Sequence, residues 1–271
     1  MKFPRSGGWI GLGLVLLLLV TALVSLVWTP HDPLQAEPSI RLNAFDPAHI
    51  LGTDQYGRDV LSRIMVGARL TLLVAVASVS ISALIGVPLG VWAGMRRGWV
   101  EAIIMRISDV VLAFPALLLA IVFTAVFGAS TWIVVLAIGI AGIPGFARVS
   151  RVATLQVMSQ DYVLSARISR VPGILIAWQH VLPNILAVLI VQISVSLALA
   201  ILAEAGLSFL GLGTPAPYAS WGRMLQSSQP YLATAPYLAL WPGLSIALTV
   251  MGFNMLGDGL RDALNPREAK R

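Results

Sequence analysis

The chain has no cysteine, only three histidines, and a charged fraction of 11%. The missing cysteine excludes a disulfide framework, a thiol nucleophile and thiolate metal ligands. His31, His49 and His180 are scattered along the chain, without the spacing of a zinc site, so no metal is expected. No G-x-x-x-x-G-K-[ST] phosphate loop and no G-x-S-x-G elbow occurs in the sequence, so neither an internal ATPase nor a serine hydrolase is expected. No catalytic residue and no cofactor site is assigned; the chain does not read as an enzyme.

Charge is scarce in a particular way. A soluble domain keeps roughly a quarter of its residues charged, whereas this chain is 58% hydrophobic with a mean hydropathy of +0.86. Six apolar runs, at 9–28, 70–94, 108–127, 131–147, 185–205 and 237–257, approach the roughly 20 residues that a bilayer about 30 Å thick asks of a helix. The fold class is therefore an all-α polytopic membrane protein with six transmembrane helices in contact with lipid. Run 9–28 follows Lys2 and Arg5 but is long for a secretory signal, and 25-SLVWTP-30 offers no small-residue cleavage site; it reads as an uncleaved first span.

Ionisable groups are nearly missing from the runs, which gives little support to a proton or sodium relay. Asp109 reads as the partner of Arg106 at a helix end, and Glu204 as the anchor of the turn 205-AGLSFLGLG-213. The arginines and lysines between the runs are unevenly placed. Thirteen of the eighteen, among them Lys2, Arg5, Arg96, Arg97, Arg106, Arg148, Arg151, Arg167, Arg170, Arg261, Arg267, Lys270 and Arg271, fall in the segments on one side. Arg41, Arg58, Arg63, Arg69 and Arg223 fall on the other. The positive-inside rule places both termini in the cytoplasm. The net charge of +6 is largely this asymmetry and implies no nucleic-acid partner.

Four segments stand out. In 160-QDYVLSARISRVPGILIAWQHVLPN-184, the first half reads as a helix from Ser159 to Arg170, broken by Pro172 and Gly173. A second short helix, Ile174–His180, precedes Pro183, which opens the fifth run. Composition alone fits a solvated loop as well as a docking surface. In 51-LGTDQYGRDVLSRIMVGARLTL-72, Gly52 and Gly57 permit turns, Thr53 or Asp54 suits a helix cap, and Arg58, Asp59 and Arg63 are spaced to pair along an emerging helix. Ser78, Ser82, Gly86, Gly90 and Gly94 recur every four residues, either a close helix-packing ridge or a lipid-facing run of small residues. Segment 206–236, with Pro215, Pro217, Tyr218, Trp221, Pro230 and Tyr231, is too aromatic for a simple linker. It reads either as a docking structure at the outer mouth or as an interfacial aromatic belt. Pro88, Pro115, Pro144 and Pro242 lie in or at the ends of runs, where they bend helices.

The pattern D-Y-V-x-x-A-R followed by H-V-L-P-N resembles the cytoplasmic coupling loop of permease subunits of ABC importers. Asp161, Tyr162, Val163, Ala166, Arg167, His180, Val181, Leu182, Pro183 and Asn184 match. The family's usual acidic residue falls at Leu164 and its usual loop glycine at Arg170, with Gly173 read as supplying the flexibility instead; Ser165 and Ala166 sit at the tip. Segments 51–72, 202-LAEAGLSFLGLG-213, Trp221-Gly222 and 257-GDGLRDALNPR-267 resemble the dipeptide/oligopeptide/nickel branch of that family.

The resemblance implies a type-1 permease bundle in the bacterial inner membrane. It would work by alternating access with a second, non-identical permease, cytoplasmic ATP-binding subunits on the loop, and an extracytoplasmic solute-binding protein. It also implies three parts: an N-terminal helix plus external segment (1–68), the permease domain (69–262) and a cytoplasmic tail (263–271). Peptides are the expected cargo, with nickel or another small solute as the alternative. From another class, a membrane scaffold or sensor that moves no solute fits the same residues.

Overall fold

The computed structural model describes residues 6–215 and 217–264. Lys2, Arg5, Arg267, Lys270, Arg271 and the end of the motif at 257–267 lie outside the described residues, as does nearly all of the tail expected at 263–271.

Ten α-helices and no strand occur among the described residues. They are α1 (Ser6–Val24), α2 (Val60–Arg96), α3 (Gly98–Ala113), α4 (Ala116–Phe127), α5 (Thr131–Met158), α6 (Asp161–Ile168), α7 (Gly173–Ile176), α8 (Leu182–Phe209), α9 (Trp221–Ser228) and α10 (Tyr237–Leu264). Five stretches are long and apolar enough to cross a bilayer: Gly7–Val24, Val60–Arg96, Thr131–Met158, Gly173–Phe209 and Tyr237–Leu264.

The run expected to form an unbroken span at 108–127 is broken instead. Helices α3 and α4 meet at an angle of 80°. Pro115 has no amide hydrogen to donate, and its ring disfavours the α conformation at the residue before it. Phe114 is accordingly extended (φ −90, ψ 121) and ends α3. Pro88, Pro144 and Pro242 lie inside α2, α5 and α10, which run through them without a break.

Helix contacts fix the number of crossings. Ser78 of α2 bonds to Val135 of α5, and Ser82 to Gly139. Further along, Gly86 faces Ile143 and Phe146, Gly90 faces Ala147, and Gly94 faces Thr154. Both sequences advance together, so α2 and α5 lie parallel and the chain must return between them. The bent pair α3–α4 makes that return. In contrast, Gly7 and Gly11 of α1 meet Met255 and Leu256 of α10, while Leu14 meets Gly252. These two helices are antiparallel, and the start of α1 lies beside Asp258, Gly259 and Arg261 near the end of α10. Both ends of the described chain are thus on one side of the bundle, which requires an even number of crossings: six with α3–α4 counted as one.

The main core gathers α1, α2, α5, α8 and α10 around Val60, Phe146, Ile201 and Phe253, with Trp221 of α9 joining from the loop. A second, smaller core lies at the opposite end, where α2 and α5 finish and α8 begins.

Candidate functional site

Helix α6 is a short peg at the end of the bundle where α2 and α5 terminate. Its sequence gives it one apolar anchor. Val163 is fully buried, packed with Val91, Val157, Met158, Ile176 and Val181 from the ends of α2 and α5 and the start of the α7–α8 stretch. Burying one such side chain contributes about 1.5–3 kcal/mol, so α6 is held firmly while most of its surface stays free. Asp161, Leu164, Ser165 and Arg167 are exposed and Ala166 is half-buried. Tyr162 rests against His180 with ring centroids 5.9 Å apart, joining α6 to the head of α8. The helix begins at Asp161, two residues later than Ser159, and ends at Ile168.

Its end is a Schellman turn. The Arg170 amide donates to the Arg167 carbonyl (3.0 Å) and the Val171 amide to that of Ala166 (3.1 Å). This geometry places a left-handed residue just after the helix, a position that favours glycine. Arg170 occupies it with φ +55. The expectation that Gly173 supplies the missing flexibility is therefore corrected: Gly173 is the first residue of α7, and Arg170 makes the turn itself.

The expected second short helix is also revised. Residues Gly173–Phe209 form one continuous helical stretch whose segment Ala177–Val181 is widened into a π turn. Pro183 has no amide to offer the carbonyl four residues back, and its ring crowds that carbonyl; widening the preceding turn relieves the clash. The Asn184 side-chain amide donates to the His180 carbonyl at 2.6 Å. Pro183 stands in the first turn of α8 and opens the fifth run as expected. Ile174 (82% exposed) and Trp178 (71%) of this stretch, with Ile168 (83%) at the end of α6, stand out on the same end of the molecule. Sequence reasoning passed over these three; large apolar residues in an otherwise polar segment were the available signal.

Two ion pairs brace α3 against α5 on this side. Asp109 pairs with Arg148 (2.6 Å), and not with Arg106 as its spacing suggested; Glu101 pairs with Arg151. Three residues along a helix place Arg106 and Asp109 near each other, but α5 brings a guanidinium closer.

Between the two ends runs the α2–α5 seam. The Ser82 hydroxyl donates to the Gly139 carbonyl at 2.6 Å and that of Ser78 to the Val135 carbonyl at 3.1 Å. A Cβ on Gly86 would stand 2.6 Å from the Ile143 carbonyl oxygen, and one on Gly94 would stand 2.8 Å from the Thr154 side chain. The stripe faces a neighbouring helix at backbone distance.

At the opposite end, residues 52–63 fold into a tight knot. Gly52 and Gly57 both have positive φ (+82 and +77). Buried Thr53 donates its hydroxyl to the Ile40 carbonyl, and its own carbonyl accepts from Tyr237 Oη at 2.9 Å. The expected capping and pairing are exchanged. The cap of α2 is Asp59, whose Oδ2 accepts from the Ser62 amide (2.7 Å) and hydroxyl (2.6 Å). Asp54, not Asp59, collects the guanidiniums, with Arg58 at 2.7 Å and Arg63 at 3.5 Å. Asp59 is therefore left facing His49 and His31, whose rings lie 4.3 Å apart at the centroids. The histidines that sequence spacing scattered are brought together by the fold, apart from His180.

The segment 206–236 folds back onto the bundle. Trp221 is 2% exposed and donates its indole N–H to the Ile64 carbonyl at 3.0 Å. It is a core residue, while Tyr218 remains exposed. Glu204 is buried in α8 and accepts from Ser208 Oγ at 2.7 Å, one turn further along the same helix.

Residues 86–270 match the family described as "Binding-protein-dependent transport system inner membrane component". The chain is 40% identical, over 95% of its length and 85% of the relative's, to the dipeptide transport system permease protein DppC of Alkalihalophilus pseudofirmus. It is 41% identical to the glutathione transport system permease protein GsiD of Pectobacterium atrosepticum, covering 98% of this chain and 89% of the relative. A di/tripeptide transport system permease protein of Pseudomonas aeruginosa is 39% identical over 98% and 90%. The fold is similar to that of a chain in the inward-facing MetNI methionine ABC transporter, with a TM-score of 0.62 at 16% identity, covering 73% of this chain and 94% of that one.

Proposed function

The chain belongs to the binding-protein-dependent transport system inner membrane component family, and from that membership we propose that it is one permease half of an ATP-driven importer of short peptides. It is a multi-pass membrane protein whose bundle carries the helices but not the engine. The sequence has no phosphate loop, so energy enters from ATP-binding subunits through the α6 end.

The observation that carries this reading is the construction of α6. One buried valine seats it on the terminal turns of α2, α5 and α8, and the apolar side chains of Ile168, Ile174 and Trp178 stand exposed beside it. A push on α6 is delivered to three spans at once. The close α2–α5 seam makes those two helices move as a unit, whereas the break at Phe114–Pro115 leaves α3 and α4 a hinge. Rocking such a unit opens a path alternately to each side of the membrane, beside a second, non-identical permease.

The arginine-rich end bearing α6 is cytoplasmic by the positive-inside rule, which puts both ends of the chain there. The knot at 52–63 and α9 then face outward, where a solute-binding protein delivers cargo. In this reading residues 1–68 form the first helix and external segment, 69–262 the transporting bundle and 263–271 a cytoplasmic tail. Short peptides are favoured over nickel by the names of the relatives, which carry dipeptides, di/tripeptides and glutathione.

The test is uptake of labelled dipeptide and labelled glutathione into vesicles containing the reconstituted complex. Uptake should require external binding protein and internal ATP. Uptake that persists without the ATP-binding subunits, or transport of nickel but neither peptide, would refute the proposal in its energy source or in its cargo respectively.

A further inference from the structure

At the end of the bundle opposite α6, three side chains from separate stretches converge. Asp59 caps α2, His49 comes from the turn before it, and His31 from the segment that follows α1. The Asp59 side chain is 1% exposed. Its Oδ1 lies 3.0 Å from His49 Nδ1 and 3.8 Å from His31 Nδ1. The three donor atoms all lie within 4.8 Å of one another. Tetrahedral coordination with bonds of 2.0–2.2 Å places neighbouring ligand atoms about 3.3 Å apart, so only small side-chain shifts separate this arrangement from a ligand set.

Two further features mark the cluster. His31 Nδ1 is buried and has no hydrogen-bond partner, although it faces the carboxylate. An orphaned buried ring nitrogen is rarely left so without a reason. The carboxylate is also prepared as a ligand: Ser62 holds Oδ2 through its amide and hydroxyl, leaving Oδ1 directed at the imidazoles. Hydrogen bonds of this kind, which orient a ligating group from behind, are a usual companion of metal sites. The nearby guanidiniums of Arg58 and Arg63 are engaged by Asp54, so the charge of Asp59 is not neutralised by them.

We propose that His31, His49 and Asp59 form a site for a divalent transition ion of the zinc type, with three protein ligands and one open position. Two imidazoles and a carboxylate suit such an ion and not calcium or magnesium, which favour oxygen donors. The bound ion would fasten the segment after α1 and the turn at His49 to the head of α2. His31 already touches that head through its amide, which donates to Ser62 Oγ at 3.0 Å.

The experiment uses the full-length protein, purified in detergent without a histidine tag and stripped with chelator. It is titrated with cobalt, read by visible ligand-field absorption, and with zinc, read by competition and melting temperature. Wild type and His180→Ala should bind one ion per chain and melt higher with zinc. His31→Ala and His49→Ala should each weaken binding at least tenfold and lose the shift. Asp59→Asn retains a good helix cap but should also weaken binding at least tenfold. The site is refuted if cobalt shows no four-coordinate spectrum, or if the His31→Ala and His49→Ala proteins, folded by circular dichroism, bind as tightly as wild type.

Discussion

Ser82 on α2 donates its hydroxyl to the main-chain carbonyl of Gly139 on α5 at 2.6 Å. A side-chain bond onto another helix's backbone requires the two backbones to be close, and the stripe Ser78, Ser82, Gly86, Gly90, Gly94 permits it. In lipid no water competes for that carbonyl, yet such bonds average only about 0.6 kcal/mol because the separated helices find other partners. Most of the seam's stability therefore comes from backbone packing.

The packing makes a sharp prediction at Gly90. A Cβ there would collide with the Ala147 carbonyl and stand 2.7 Å from the Ser150 Cβ. Gly90→Ala should destabilise the protein by about 1–3 kcal/mol through overpacking. Gly13→Ala on α1, where a Cβ meets nothing within 4 Å, should be neutral or stabilising by up to about 1 kcal/mol. Thermal inactivation of the two variants in detergent checks the contrast; equal behaviour would mean the seam is looser than described.

Trp221 is predicted to be a structural residue of the end opposite α6 rather than a contact for a delivered protein. Trp221→Phe removes the bond to Ile64 and a ring's volume from a buried site, and should lower stability by about 1–3 kcal/mol. Tyr218→Phe, on an exposed residue nearby, should change stability by less than about 0.5 kcal/mol. Melting curves of both proteins separate the roles.

Arg170 stands in the left-handed conformation at the end of α6, which costs a residue bearing a Cβ about 1–2 kcal/mol. Arg170→Gly relieves that strain but adds chain entropy to the unfolded state, about 0.5–1 kcal/mol in the opposite sense. The net expectation is a protein more stable by up to about 1 kcal/mol, measured by melting temperature. A lower melting temperature would mean that the arginine side chain itself holds the turn.

What could be read from the sequence differs by kind of feature. Apolar runs mark spans because the bilayer imposes length and composition on each helix separately; all six runs carry helix, although that at 108–127 is broken at Phe114–Pro115 and α1 stops at Val24. Local chemistry was less legible where partners come from elsewhere in the chain. Spacing paired Asp109 with Arg106, but α5 supplies Arg148. Spacing offered Thr53 or Asp54 as the cap, yet the turn through Gly57 swings Asp54 onto the guanidiniums and leaves Asp59 at the head of α2. The histidine pair was invisible for the same reason: His31 and His49 meet only after the segment after α1 folds onto α2. Pro115 was legible as a bend, but its 80° size was not, because the angle depends on how α4 packs against α5 and α8.

The central claim is that ATP-derived motion enters through α6, and the absence of native cysteine makes its test clean. Ser165 is exposed on α6, and its hydroxyl bonds only within the helix, to the Asp161 carbonyl at 3.0 Å. A single cysteine in the Ser165→Cys protein is treated with a short thiol crosslinker in native membranes, with and without ATP, and the captured partner is weighed. The account predicts capture of an ATP-binding subunit in a yield that changes with nucleotide. A folded, inserted protein that captures no such subunit in either state would contradict it.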